Sequence, residues 1–383
     1  MRCFNHFPAA TVAVPGNRSS SVLNSYFWRS SMRKFTGTIV AAALATLVPQ
    51  LAQAAEQLYV APFSSAPLEV VGTGGAVTNS SFTGGNLSNT SDVTFDSGGN
   101  VYVASFGSNT VLRYNSSGTS LGPITGFPSA SNQRTFSMAF GPLDGALYVA
   151  SPDTNNTGFG VSFSRVTNPS GTPSVTDLSS SLSNVAGYMA FGPTTTYDPG
   201  TGSQTVQPLY YDTYASGNLS TLRVAYINSS GTVLNSGGTE IVSAISGEEE
   251  GVAIGGGFVY VSNYSDAKVR RYDLAGNPAP SIGNTGAVFA NSYPSIADIA
   301  LDSAGNLYVT DISDPVNQYG GLYKYKSDGT LDTSFGTGGF LTFADNHSIY
   351  GLGITGSVPE PTSLALLGLG TMGLAFFRRQ RGR

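Results

Sequence analysis

Four titratable residues share one structural setting in this 383-residue chain. Asp92, Glu250, Asp298 and His347 each stand at or just before a short apolar run, and Phe136, Tyr188 and Tyr350 occupy the same place before other runs. Carboxylates brought together at one end of a barrel or propeller accept sugar hydroxyls or share a hard cation, and calcium is the cation such oxygen chemistry suits. Aromatic faces beside them cover the apolar side of a sugar ring. These seven residues form the candidate binding face, with no cofactor required and calcium the one it would accept. Nucleophilic catalysis has little to build on. His347 is one of two histidines, and no G-x-S-x-G turn accompanies it. Cys3 is the only cysteine, so thiol nucleophiles, disulfides and Cys-ligated metals are excluded from residue 4 onward. The run Glu248-Glu249-Glu250 reads most simply as a solvated loop.

The elements that would position this face repeat. The phrases DVTFDSGGNVYVAS from Asp92, SMAFGPLDGALYVAS from Ser137, GVAIGGGFVYVSN from Gly251 and DIALDSAGNLYVTD from Asp298 each read strand, Gly/Asp turn, strand. A fifth copy begins at Tyr188 with a stretched loop. A third strand with its own turn follows each copy (TVLRYNSSGT, GVSFSRVTNPSGT, LRVAYINSSGT, KVRRYDLAGN, LYKYKSDGT), and EIVSAIS and FLTFADN supply fourth strands. The marker residues Phe95, Phe140, Phe191, Ile254 and Leu301 are 45, 51, 63 and 47 residues apart. Periods of this length with three or four strands each predict propeller blades. Thr94, Ala139, Ala190, Ala253 and Ala300 precede the markers, small residues suited to inner strands crowded near an axis.

Five copies leave the ring one blade short. YGLGITG from Tyr350 reads as an inner strand with nothing after it, and LYVAPFSSAPLEVV from Leu58 reads as the next two strands without their inner one. Joined, they predict a sixth blade built from both ends of the body, closing an all-β, six-bladed propeller over residues 55–357 with no open sheet edge.

Both ends of the chain read differently. Residues 32–54 have a basic start (Arg33, Lys34), an apolar stretch and small residues at Ala52 and Ala54, the layout of a signal peptide that signal peptidase would cut before Ala55. Residues 1–31 precede it as a leader, or lie upstream of a true start at Met32. Residues 358–383 open with Val358-Pro359-Glu360-Pro361, continue with an uncharged run from Thr362 to Phe377, and end with Arg378, Arg379, Arg381 and Arg383. Sixteen residues make a helix of about 24 Å, short against a hydrocarbon layer of roughly 30 Å. The arginines would hold its far end on the cytoplasmic side. Of 18 Lys and Arg in the chain, five precede residue 55 and four follow residue 357, so the body carries nine against 22 Asp and Glu. That balance works against nucleic acid as a partner.

Two resemblances follow. DSGGNVYVAS and DSAGNLYVTD, each followed by a strand and SSGT or SDGT, resemble the repeats of six-bladed propellers of the NHL and gluconolactonase-like group. That group implies, as an alternative function, a metal-dependent lactonase or esterase with acidic ligands at the channel mouth. Residues 358–383 resemble the PEP-CTERM sorting signal of Gram-negative bacteria. The resemblance implies export, transient membrane insertion through the C-terminal segment, processing by an exosortase, and delivery to the cell envelope, cell surface or extracellular matrix, often in association with exopolysaccharide. The expectation is a non-enzymatic exported propeller presenting a binding face, with exopolysaccharide as its partner.

Overall fold

A computed structural model describes residues 55–85, 87–128, 134–152, 162–182, 185–215, 219–247, 249–264, 268–282, 296–312, 320–343 and 348–355. The described chain is all β. In chain order it forms β1 (Gln57–Pro62), β2 (Glu69–Gly72), β3 (Val77–Asn79), β4 (Thr90–Phe95), β5 (Val101–Ser105), β6 (Thr110–Tyr114), β7 (Ser137–Phe140), β8 (Leu147–Ser151), β9 (Ser162–Thr167) and β10 (Ser174–Asp177). There follow β11 (Val185–Phe191), β12 (Thr195–Tyr197), β13 (Gln204–Ala215), β14 (Leu219–Asn228), β15 (Thr239–Ser246), β16 (Glu249–Gly255), β17 (Phe258–Asn263) and β18 (Lys268–Asp273). The last are β19 (Pro278–Ile282), β20 (Ile296–Leu301), β21 (Leu307–Asp311), β22 (Gly321–Tyr325), β23 (Phe340–Thr342) and β24 (Ile349–Ile354).

These strands make six antiparallel sheets, and their inner strands neighbour one another in the closed cycle β24, β4, β7, β11, β16, β20. The architecture is a six-bladed propeller. Blade 1 has the order β24-β1-β2-β3, with Leu58 opposite Ile354 and Tyr59 opposite Gly353. The two ends of the body therefore share one blade, as the sequence predicts. Thr355 N–H donates to the Gln57 carbonyl at 2.9 Å and Gln57 N–H to Thr355 Oγ1 at 2.9 Å, fastening the seam. The expected fourth strands are β15 and β23. The acidic run enters a strand: β16 starts at Glu249, opposite Asn263.

Blade 2 is the three-stranded sheet β4-β5-β6. Val111 bridges Ile124 along the outer edge of β6, and Leu121 N–H donates to the Arg113 carbonyl. The Arg113 guanidinium donates to the carbonyls of Leu121, Gly122, Pro169 and Gly171 at 2.7–3.0 Å, tying this irregular edge to the outer turn of blade 3. A planar fork with five donors suits that task, and a lysine does not.

The small residues before each marker have a partner that their spacing does not reveal. In all six blades the residue directly opposite is a tyrosine: Tyr59 faces Gly353, Tyr102 Thr94, Tyr148 Ala139, Tyr210 Ala190, Tyr260 Ala253 and Tyr308 Ala300. Opposite residues in an antiparallel pair project from the same face of the sheet. The small side chain lies on the same side of the sheet as the buried phenol ring, and at Gly353 it also lets the next inner strand approach, since a Cβ there would stand 2.7 Å from the Val93 carbonyl oxygen. All six tyrosines are buried. Burial of aromatic area, at roughly 25 cal/mol per Å², adds to the aliphatic contacts that hold neighbouring blades together.

The turns of the repeat are built to receive those rings. Asp96 Oδ1 accepts from the N–H groups of Gly98 and Asn100, while its Oδ2 accepts from Asn100 Nδ2 and, at 2.9 Å, from the Tyr102 hydroxyl. Asp302 repeats the arrangement with Ala304, Asn306 and Tyr308. Gly99 and Gly305 take φ of 78° and 79°, the left-handed region that an Asx turn of this length requires and a Cβ resists. The phrase D-S-x-G-N-x-Y is thus a turn that anchors its own tyrosine.

Candidate functional site

Inner strands begin, and second strands end, at one mouth of the propeller. Of the residues placed there by sequence, Asp92 and Asp298 lie in the upper parts of β4 and β20, and their carboxylates are turned to the next blade. Asp92 Oδ2 accepts the Met138 N–H on β7. Asp298 Oδ2 accepts the Leu352 N–H on β24 at 2.8 Å, while Oδ1 accepts the Ile299 N–H at 2.7 Å. Both residues are buried, at 5% and 4% exposure. Ser137 continues the pattern, its hydroxyl accepting the Met189 N–H at 3.1 Å. Ser262 donates to the Ala297 carbonyl at 2.7 Å and Thr310 to that of Tyr350 at 3.4 Å. Inter-blade hydrogen bonds therefore join blades 2, 3 and 4, and blades 5, 6 and 1, just below the mouth. Desolvation pushes the Asp92 carboxyl up to about 7 against the opposing effect of its hydrogen bonds, so the proton is held far above the usual carboxylate range.

Glycines let the inner strands approach closely enough for these bonds. A Cβ on Gly351 would stand 2.6 Å from the Asp92 Cα, and one on Gly353 2.7 Å from the Val93 carbonyl oxygen. Irregular pairing supplies acceptors. The register of β24 skips Tyr350 and that of β4 skips Ser91, so at each bulge a carbonyl leaves the ladder. Tyr188 uses both. From blade 4 its hydroxyl donates to the Ser91 carbonyl at 2.6 Å and to the Tyr350 carbonyl at 3.2 Å, spanning the channel to blades 2 and 1. Its ring is 2% exposed. Tyr188 plugs the axis.

Above this plug lies an arc of rings. Tyr350 packs on Phe63 at 4.4 Å between centroids, Phe63 on Phe106 at 5.7 Å, Phe106 on Phe136 at 6.2 Å, and Phe136 on Tyr188 at 5.2 Å. Phe63, Phe106, Phe136 and Tyr350 are each partly open to solvent. The structure thus groups three of the aromatic residues expected from sequence, Phe136, Tyr188 and Tyr350, and adds Phe63 and Phe106. Those two directly follow the second strands of blades 1 and 2, and Tyr264, 36% exposed, holds the same place after β17 in blade 5. The backbone of Glu250 lies in β16; its side chain and all of His347 fall outside the described residues. Among the described residues, no three of His, Cys, Asp and Glu gather as metal ligands, and no helix is long and apolar enough to cross a membrane. The expected signal peptide (32–54), leader (1–31), sorting residues Val358 to Pro361, and the membrane segment with Arg378, Arg379, Arg381 and Arg383 also lie outside the described residues.

Comparison with protein families bears on the tail. Residues 357–380 match the model of the PEP-CTERM protein-sorting motif. The chain carries a PEP-CTERM sorting motif. It is therefore exported and sorted to the cell envelope or surface, and the motif implies processing by an exosortase-type enzyme. No curated protein matches the sequence. Among solved structures, a nidogen/laminin complex is similar at 12% identity and TM-score 0.52, over 79% of this chain and 99% of that one. A protein of unknown function from Bacteroides caccae is similar at 13% identity and TM-score 0.50, over 80% and 100%. A putative gluconolactonase is similar at 12% identity and TM-score 0.43, over 79% and 87%. At these identities the first two likenesses show a shared fold and nothing of its chemistry. Other neighbours are named as lyases and a sugar dehydrogenase, again at low identity, and they leave open whether the chain is an enzyme.

Proposed function

We propose that the sorted propeller is a non-enzymatic binding protein of the cell envelope or extracellular matrix, and that its aromatic mouth takes up polysaccharide. The arc Tyr350, Phe63, Phe106 and Phe136 carries this reading: four part-open rings lie side by side over a plugged channel, where a ligand would rest on the surface and not enter. Rings in this setting cover the apolar faces of successive sugars, each contact weak and the sum strengthened when many copies are displayed together. The 22 acids against nine bases of the body favour a neutral chain, or an acidic one bridged by calcium, over direct pairing with an anion.

A metal-dependent hydrolase is less well served by this geometry. Asp92 and Asp298, the acids it would call on, each commit an oxygen to a neighbouring blade's backbone, and Tyr188 occupies the axis beside them.

Retention of the purified protein on the producer's own exopolysaccharide tests the proposal. Replacing Phe63 and Tyr350 by Ala together should lower retention at least tenfold while circular dichroism stays that of the wild type. Wild-type retention by the double variant, with and without chelator, overturns it. Hydrolysis of simple lactones would return the enzyme reading to first place.

A further inference from the structure

The same fold that builds the mouth fixes where the chain leaves it. β24 runs from Ile349 at the mouth to Ile354 at the opposite face, and Thr355 is held there against Gln57. Both ends of the body therefore emerge on the face that carries the Asp96 and Asp302 turns, and Ser303 N–H donates to Glu56 at 2.9 Å beside the seam. β24 is an inner strand, so Thr355 leaves close to the axis. The sorting motif begins at residue 357, two residues later.

Chain geometry then limits how the body can sit. The six residues 356–361 separate the seam from the apolar run, and even fully extended they reach only about 20 Å. A blade is roughly 20 Å tall, from six residues per inner strand, and roughly 20 Å from axis to rim, from four strands at about 4.8 Å. Turning the mouth toward the membrane would take the tether out to the rim and up the side, about 40 Å, twice its reach.

We infer that the membrane-held form is oriented: the face of the Asp96 and Asp302 turns lies against the membrane, and the aromatic mouth is directed outward before any processing occurs. The interaction surface is the part of that face around Glu56, Ala304 and Thr355. Its partner is the lipid headgroup layer of the inner membrane. The inference rests on strand direction and tether length, independent of what the mouth binds.

The absence of cysteine from the body makes the test direct. Ala304→Cys marks the seam face and Ser65→Cys the mouth; both positions are exposed. Full-length protein is held unprocessed in cells whose sorting enzyme is inactive and which are washed free of polysaccharide, then labelled from outside the inner membrane with an impermeant maleimide. Each rate is divided by that of the same variant solubilised in detergent. The normalised rate at residue 304 should be at least tenfold below that at residue 65. Insertion after Thr355 of about 30 Gly/Ser residues, which lengthens the reach well past 40 Å, should abolish the difference. Equal normalised rates, protection at residue 65, or protection at residue 304 that survives the linker overturns the inference. None of these outcomes depends on polysaccharide retention.

Discussion

The hydroxyl of Tyr188 lies 3.2 Å from the carbonyl oxygen of Tyr350, although one belongs to the fourth blade and the other to the first, across the ring. The same hydroxyl lies 2.6 Å from the Ser91 carbonyl oxygen in the second blade. One side chain therefore reports on the closure of three blades. Tyr188→Phe keeps the ring and removes the one proton the two carbonyls share, leaving the buried Ser91 carbonyl without this donor, a loss of about 1–3 kcal/mol. The melting temperature of the body should fall by several degrees with secondary structure unchanged in circular dichroism. An unaltered melting curve would show that the bond contributes nothing to closure.

Asp92 gives the body a pH dependence of definite sign. Its folded carboxyl holds its proton up to about 7, against 3.8 for the ordinary group. A raised folded value means that the folded state binds more protons between the two. The stability this residue contributes is complete below pH 4 and is lost as pH rises through 7. Asp92→Asn keeps a side-chain acceptor for the Met138 N–H and cannot titrate. The stability of the wild type relative to this variant, measured by urea denaturation from pH 4 to 8, should decline as pH rises. A flat difference would contradict the assignment.

The seam between the two ends of the body should govern global stability. Gly353→Val places a branched side chain where a Cβ alone would stand 2.7 Å from the Val93 carbonyl oxygen and 2.8 Å from the Phe95 ring. Neither neighbour retreats cheaply, since both belong to β4 in the next blade. Overpacking of this kind costs about 1–3 kcal/mol or more. Removal of residues 57–62 should be more severe, exposing β24 and β2 as open edges. A truncated body that melts in one transition at the intact temperature would show that blade 1 is dispensable.

The sorting motif offers a prediction at the opposite end of the chain. Two prolines flank Glu360, and proline disfavours helix at itself and in the residue before it, a sequence preference suited to presenting Glu360 to a protease. Pro359→Ala combined with Glu360→Ala should leave full-length protein in the inner membrane, read as intact mass in fractionated cells. Release of the same shortened product as the wild type would separate processing from these residues.

Much of this fold could be read from residue types because the propeller repeats one solution six times. The triplets Leu58-Tyr59-Val60, Val101-Tyr102-Val103, Leu147-Tyr148-Val149, Leu209-Tyr210-Tyr211, Val259-Tyr260-Val261 and Leu307-Tyr308-Val309 were the available signal for the buried tyrosine ring. The small residues alone point to crowded inner strands, and only the triplets show that each one faces a tyrosine. The mouth was less legible. Sequence places Asp92 and Asp298 near it, but each sits at a register shift of its own strand, beside Ser91 in β4 and between Ile296 and Ile299 in β20, and a bulge leaves no mark in composition. Phe63 and Phe106 follow second strands, outside the inner-strand alignment that yields Phe136 and Tyr350.

The tyrosine ring has a further consequence. Trp28, the only tryptophan, precedes the propeller, so beyond the weak short-wavelength bands of phenylalanine the near-ultraviolet absorption and emission of the body arise from phenols. Six of these are sealed between adjacent blades, four with their hydroxyls bound to a turn. The body therefore carries a built-in optical gauge: its tyrosine near-ultraviolet dichroism registers whether neighbouring blades are in contact, and would follow assembly of the ring without any attached dye.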